Sequence, residues 1–225
     1  MQVQVHGHRG ARARMPENTI AAFEYAIGVG VDAIELDVHL SRDGVVVVTH
    51  DPPPSRTAAQ LGLPTLDQVL ALAPLGEFLF NIEAKVQAGT PENLAALVLD
   101  RIQSHGVTHR VIFQSFDFPT LHRMRKLAPE ITRAALWEGA PRSFVEIARE
   151  AGAEIVAPEY ILVTEAGVHA AHQAGLRVIP WTANMPEDWA RLIAAGVDGI
   201  ITDDPEALLG YLRGYREFPR PPIES

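Results

Sequence analysis

Residues 177–213 read RVIPWTANMPEDWARLIAAGVDGIITDDPEALLGYLR, and they predict strand, helix, strand, helix in that order. The run RVIPW at 177–181 is short, apolar and β-rich, and DGIIT at 198–202 is a second such run. Between them a helix is predicted over 186–195, with Asn184 before Pro186 as its start signal and Gly196 as its stop. Asp203-Asp204-Pro205 then opens a helix predicted over 204–213. The connection from 182 to 197 is long enough for the crossover of a dozen or more residues that a parallel strand pair requires. The unit is therefore βαβα with a parallel pair.

The same unit recurs upstream. Candidate strands lie at 2–6, 33–38, 79–83, 110–114, 132–136 and 154–157, and candidate helices at 18–29, 65–73, 91–104, 117–127, 142–151 and 164–174. Thr90-Pro91 and Thr164 with Glu165 mark helix starts, and Gly106, Gly152 and Gly175 mark stops. Eight strand–helix units in 225 residues predict an α/β fold, the (β/α)8 TIM barrel, as a single domain over 1–225. An open doubly wound sheet would leave two strand edges with little chain to cover them. No dinucleotide-binding glycine pattern follows the first strand. From Gly214 onward the chain is expected to be a surface tail (214–225), ending FPRPPIES.

One element breaks the alternation. VVVVT at 45–49 follows the strand at 33–40 after only Ser41-Arg42-Asp43-Gly44, so it can return only as an antiparallel hairpin extending strand 2. If 41–44 is the loop, Glu35 falls opposite His50; if only Asp43-Gly44 is the loop, Asp37 does. Either register sets His50 beside a carboxylate at the C-terminal rim, where barrel enzymes keep their chemistry.

Composition narrows the function classes. Hydrophobic residues at 47% and charged residues at 21% are ordinary for a globular enzyme. No apolar run approaches the roughly 20 residues of a membrane span, and no amphipathic membrane-seeking segment stands out. A net charge of -9 argues against nucleic-acid partners, whose phosphates need a basic surface. The absence of cysteine excludes disulfides and thiolate zinc sites. With no secretory signal at the N-terminus, it leads to the expectation of a cytoplasmic protein. Nothing in the sequence fixes an oligomeric state.

The chemistry gathers at the ends of the first three barrel strands. Glu35 and Asp37, spaced i, i+2, share one strand face, and Glu83 and Lys85 repeat the spacing. His8 and Arg9 end the first strand before Gly10. Three converging carboxylates suit a hard divalent cation, Mg2+ or Ca2+, with Mn2+ also admissible. Arg9 and Lys85 can hold a phosphoryl oxygen, and two histidines can move protons.

At these residues the chain resembles the glycerophosphodiester phosphodiesterase family. The matching segments are HGHRG (6–10), PENT (16–19), AIELDVHLSRDGVVVVTHD (33–51), PTL (64–66), NIEAK (81–85), QSF (114–116), PWTAN (180–184) and ITDDP (201–205), in the family's order over nearly the whole chain. The resemblance implies metal binding by Glu35, Asp37 and Glu83, and His8 and His50 as the general acid–base pair. It also implies Arg9 and Lys85 on the phosphate, and Trp181 packed against the glycerol moiety. Glu17 and Asn18 resemble helix-start residues that support the site. The implied reaction is hydrolysis of a small-molecule glycerophosphodiester to glycerol 3-phosphate and an alcohol. Many members carry a longer segment where this chain has only PPPSRTAAQLGL at 52–63, which leaves the site more open.

Two rivals are carried beside this reading. A phospholipase-type or lysophospholipid phosphodiesterase keeps the fold and changes the substrate. A non-catalytic phosphoester-binding barrel would have lost a histidine or a metal carboxylate, and here all are present. His6 and His39 are read as structural, the histidines at 105, 109, 122, 169 and 172 carry no chemistry, and Asp203 and Asp204 are read as caps of the last helix.

Overall fold

A computed structural model of the chain describes residues 3–217. Alternating apolar runs form eight barrel strands: β1 (Gln4–Gly7), β2 (Ala33–Leu40), β4 (Leu79–Ala84), β5 (Val111–Ser115), β6 (Thr132–Trp137), β7 (Ile155–Pro158), β8 (Arg177–Val178) and β9 (Gly199–Thr202), with β3 (Val46–Val48) standing apart. Each barrel strand pairs in parallel with its neighbours in the order β8-β7-β6-β5-β4-β2-β1-β9. Asp198 N–H donates to Val178 O at 2.9 Å and Ile201 N–H to Pro180 O at 2.9 Å, which closes the ring. The TIM-barrel expectation holds.

Strand β8 is much shorter than the predicted 177–181. Pro180 has no N–H to give to a ladder, so pairing beyond Val178 reduces to single bonds and one bridge, Glu159 with Trp181.

The outer layer is α1 (Ile20–Val29), α2 (Ala58–Leu61), α3 (Leu66–Leu70), α4 (Leu94–Ser104), α5 (Phe118–Leu127), α6 (Phe144–Ala151), α7 (Glu165–Gln173), α8 (Pro186–Ala195) and α9 (Pro205–Glu217). Thr164 caps α7 as read from sequence. Helix α1 begins at Ile20 after its Thr19 cap and α4 begins at Leu94 rather than at Pro91, while α8 spans the predicted 186–195 with Met185 at the cap position, so Asn184 is free for another task. Helix α9 runs on through Glu217, past the predicted end at 213, and the rest of the expected tail at 214–225 lies outside the described residues. Helix α2, with a Thr57–Gln60 capping box, was not expected and occupies the shortened stretch after the hairpin.

The main core lies between sheet and helices, around Phe23, Phe80, Phe113, Leu121 and Met124, all fully buried. Inside the ring Ile112, Ala134, Ile155, Ile179 and Ile201 form a separate apolar layer. His6, fully buried in the barrel, is pushed down to about 3 by that burial and then by Arg177, so it is a neutral structural histidine. The polar groups above this layer form the floor of the site.

The hairpin register is neither of the two expected. Val38 pairs with Val48, His39 with Val47 and Leu40 with Val46. Ser41 N–H donates to Val45 O at 3.0 Å, and Val45 N–H donates back to Ser41 Oγ at 3.1 Å. The loop therefore has three residues, Arg42-Asp43-Gly44, with Gly44 at φ 78, the left-handed position such loops reserve for glycine. Neither a two- nor a four-residue loop has this parity.

Candidate active site

Parallel registry brings the acidic residues together. Asp37 on β2 lies beside Glu83 on β4, and Glu35 lies beside Asn81. Glu35 and Asp37 are 1% exposed and Glu83 6%. One oxygen from each carboxylate lies within 4.8 Å of the others. Asp37 Oδ1 and Glu83 Oε1 are buried without a hydrogen bond of good geometry, although Lys85 Nζ stands 3.1 and 2.7 Å from them. Buried, under-coordinated carboxylate oxygens with no nitrogen or sulfur donor among them fit a hard divalent cation.

The cations are nearer than the sequence suggested. Lys85 contacts both Asp37 and Glu83, and Arg9 Nε stands 3.2 Å from Asp37 Oδ2. The three carboxylates thus meet two fixed positive charges. Burial, with Asp37 and Glu83 adding repulsion, holds the Glu35 carboxyl well above the usual range. Burial acts on Asp37 too, but Lys85, Asn18 and Arg9 bring it below its ordinary value. Burial pushes Glu83 up to about 7 against the opposing pull of Lys85. Lys85 is itself raised, because Glu83 and Asp37 outweigh its burial.

The turn after β1 is built for close approach. Gly10 has φ 89, and a Cβ there would stand 2.7 Å from the backbone of Ala22 in α1. Arg9 (φ 50) and Asn18 (φ 55) occupy the left-handed region that non-glycine residues rarely adopt, a strain typical of functional turns. Their bonds explain it. Arg9 N–H donates to Glu35 Oε2 at 2.9 Å, Asn18 N–H to Arg9 O at 3.0 Å, and Asn18 Nδ2 to Asp37 Oδ2 at 2.8 Å. Glu17 accepts from Arg9 at 2.9 Å and pairs with Arg12 at 2.7 Å. Glu17 and Asn18 thus precede the helix and support the carboxylates and Arg9.

His8 Nδ1 lies 2.5 Å from Asp203 Oδ1, while its Nε2 faces Glu35 Oε2 at 4.0 Å. Asn184 Nδ2 donates to Asp203 Oδ2 at 2.8 Å. Burial would raise Asp203, but His8 and Asn184 draw it below the ordinary carboxylate range. Only Asp204 caps α9, through Ala207 N–H at 3.1 Å, so the reading of Asp203 as a cap is corrected. His50 Nδ1 bonds Asp51 Oδ1 at 2.8 Å. From β5, two strands along, Gln114 Nε2 donates to Glu35 Oε1 at 3.1 Å. Asp203 and Gln114 were missed because their partners lie 195 and 79 residues away in sequence; the segments QSF and ITDDP were the only trace of them.

These groups open into one cavity of about 430 Å³, lined by His8, Arg9, Glu35, His50, Glu83 and Lys85, with Gln114, Phe116 and Trp181 among its further walls. Trp181 is anchored by its Nε1–H to Ala157 O at 2.7 Å and meets Phe116 edge-to-face at 5.6 Å. A smaller recess of about 210 Å³ adjoins it past His50, Lys85 and Phe116. Every residue expected at the site from sequence therefore lines this cavity or contacts a residue that does. Together fold and site define a barrel with a buried acidic cluster that fits a divalent cation and two histidines facing one cavity.

Comparison with known proteins places it further. The sequence pattern of the Glycerophosphoryl diester phosphodiesterase family matches residues 8–60 and 52–207. A glycerophosphodiester phosphodiesterase of Caldanaerobacter subterraneus subsp. tengcongensis is 33% identical over 240 residues, covering 95% of this chain and 99% of the relative. A solved structure from Silicibacter pomeroyi superposes with a TM-score of 0.86 at 28% identity, covering 95% of this chain and 94% of the other. The Thermotoga maritima glycerophosphodiester phosphodiesterase gives 0.71 at 28% identity, covering 93% and 98%. The chain belongs to the glycerophosphoryl diester phosphodiesterase family, and it is an enzyme of that class.

Proposed function

We propose that the enzyme hydrolyses glycerophosphodiesters to glycerol 3-phosphate and an alcohol, by metal-dependent acid–base catalysis with His8 and His50. The observation that carries this is one cavity lined by two of the three buried carboxylates, Arg9, Lys85 and both histidines. Glu35, Asp37 and Glu83 would hold the ion, with Mg2+ or Ca2+ favoured and Mn2+ admissible. When bound, it supplies a Lewis-acidic charge to the phosphoryl oxygens. Arg9 and Lys85 orient the phosphate, and Trp181 packs against the glycerol end of the substrate. Because Asp203 and Asp51 occupy the Nδ1 sides of His8 and His50, Nε2 is the nitrogen each ring offers for proton transfer. One histidine takes a proton from the attacking hydroxyl as its P–O bond forms. The other gives a proton to the alcohol oxygen as the old P–O bond breaks. The hydroxyl is water's or the substrate's own glycerol 2-hydroxyl, which gives a cyclic diester that water then opens. A cytoplasmic location belongs to the same reading, on the cysteine-free composition.

One observation keeps the lysophospholipid reading as a second. Among the described residues, Val86, Phe116, Ile161 and Met185 are exposed, and they follow β4, β5, β7 and β8 around the barrel mouth. No described helix is long and apolar enough to cross a membrane. A panel of glycerophosphodiesters assayed beside lysophospholipids separates the two readings. We expect glycerol 3-phosphate plus free alcohol from the water-soluble diesters, at higher kcat/KM than from the lipids. Binding of the diesters without any turnover would leave the non-catalytic reading standing instead.

Asp203→Asn is expected to lower kcat by about 100-fold with little change in KM, because the amide removes the charge that holds the Nδ1–H form of His8. Steady-state kinetics check this. In a His8→Ala background the same substitution should cost nothing further.

A further inference from the structure

With Ser41 opposite Val45, position 50 falls opposite Leu36, and an unbroken ladder would turn its side chain to the outer face. Yet His50 lines the catalytic cavity together with His8, Glu35 and Glu83. The chain must therefore leave the ladder before it reaches His50. Strand β3 ends at Val48, and the last backbone bond to β2 runs from Thr49 N–H to Asp37 O at 3.0 Å. Beyond it come Pro52, Pro53 and Pro54, which have no N–H to continue the pairing.

One side chain reaches the peptide at this bend. His39 Nε2 lies 3.1 Å from the carbonyl oxygen of His50, a contact in which the ring N–H donates. His39 stands on β2 two residues past Asp37, on the same face as Glu35 and Asp37, and is 5% exposed. It also lines the smaller recess beside His50.

We propose that His39 is a positioning residue, whose Nε2–H anchors the His50 carbonyl and so turns the His50 imidazole into the catalytic cavity. This rests on the reading of His50 as one of the acid–base pair. The ring is fixed at both ends: His39 holds the main chain and Asp51 holds Nδ1.

The test uses His39→Leu, His39→Gln and His50→Ala, with kcat and KM on a glycerophosphodiester and thermal melts for each. Glutamine keeps an N–H near the position of Nε2; leucine does not. His39→Leu should lower kcat by about 10- to 100-fold, the scale of a misplaced catalytic group, with KM near that of the wild type. His39→Gln should recover most of the loss. On an activated aryl phosphodiester, where residual rates are measurable, His39→Leu should cost nothing further in a His50→Ala background. Wild-type kcat in folded His39→Leu beside an inactive His50→Ala would overturn the role of His39 and leave the catalytic reading intact. An active His50→Ala would overturn that reading instead. Should the leucine variant fail to fold, folded His39→Gln decides: activity supports the anchor, and inactivity refutes it.

Discussion

Removing divalent cations is expected to abolish turnover, by about 1000-fold or more, and Mg2+, Ca2+ or Mn2+ is expected to restore it. The size follows from several kcal/mol of charge stabilisation at the phosphoryl group, at about 1.4 kcal/mol per tenfold in rate. The cause lies in the donor set. Glu35, Asp37 and Glu83 are all but excluded from water, and two of their oxygens have no well-formed hydrogen bond. Lys85 and Arg9 pair with Asp37 and Glu83, while burial and those two neighbouring carboxylates hold the Glu35 carboxyl well above its usual range, and a bound divalent cation would favour its charged form. Dialysis against chelator, elemental analysis and add-back titration measure the effect. Glu83→Gln should raise the metal concentration needed for half-maximal rate, because it removes one charged donor and leaves Lys85 with Asp37 alone. Full turnover by enzyme verified as metal-free would refute the reading.

Much of this site could be read before the fold was known, because its strongest signals are local. The i, i+2 spacing of Glu35 with Asp37 puts both on one strand face whatever the tertiary structure, and strand ends mark the active face of any such barrel. What escaped was set by long-range or parity effects. Nothing near Asp203 distinguishes it from Asp204, and both look like caps; only the closing of β9 against β1 delivers Asp203 to His8. Gln114 on β5 reaches Glu35 on β2 over the intervening β4. The hairpin turned on a single residue: Ser41 joins the ladder and Gly44 takes the left-handed turn, which shifts the register by one, so that His50 reaches the cavity only because the chain leaves the ladder after Thr49. Pro180 was visible in the sequence, and its missing N–H accounts for the short β8.

His8→Ala and His50→Ala should each lower kcat by about 100-fold or more, the usual scale for losing a positioned acid or base. KM should change much less, since Arg9 and Lys85 rather than the imidazoles hold the phosphate in this reading. The exposed His109→Ala, on the far side of the barrel, serves as the control and should keep wild-type kinetics. The two histidines are not equivalent in their settings. Asp203 is shielded and tied down by Asn184, whereas Asp51 is 88% exposed and shares its charge with solvent. A difference in role is therefore expected, and the leaving group reads it out. A diester with a strongly acidic alcohol departs without protonation, so it should rescue the variant that lacks the general acid and leave the variant that lacks the general base impaired. Rate against leaving-group acidity should then be steep for the first variant and close to the wild-type slope for the second. Equal rescue of both, or rescue of neither, would show that the protons are not divided between His8 and His50 in this way.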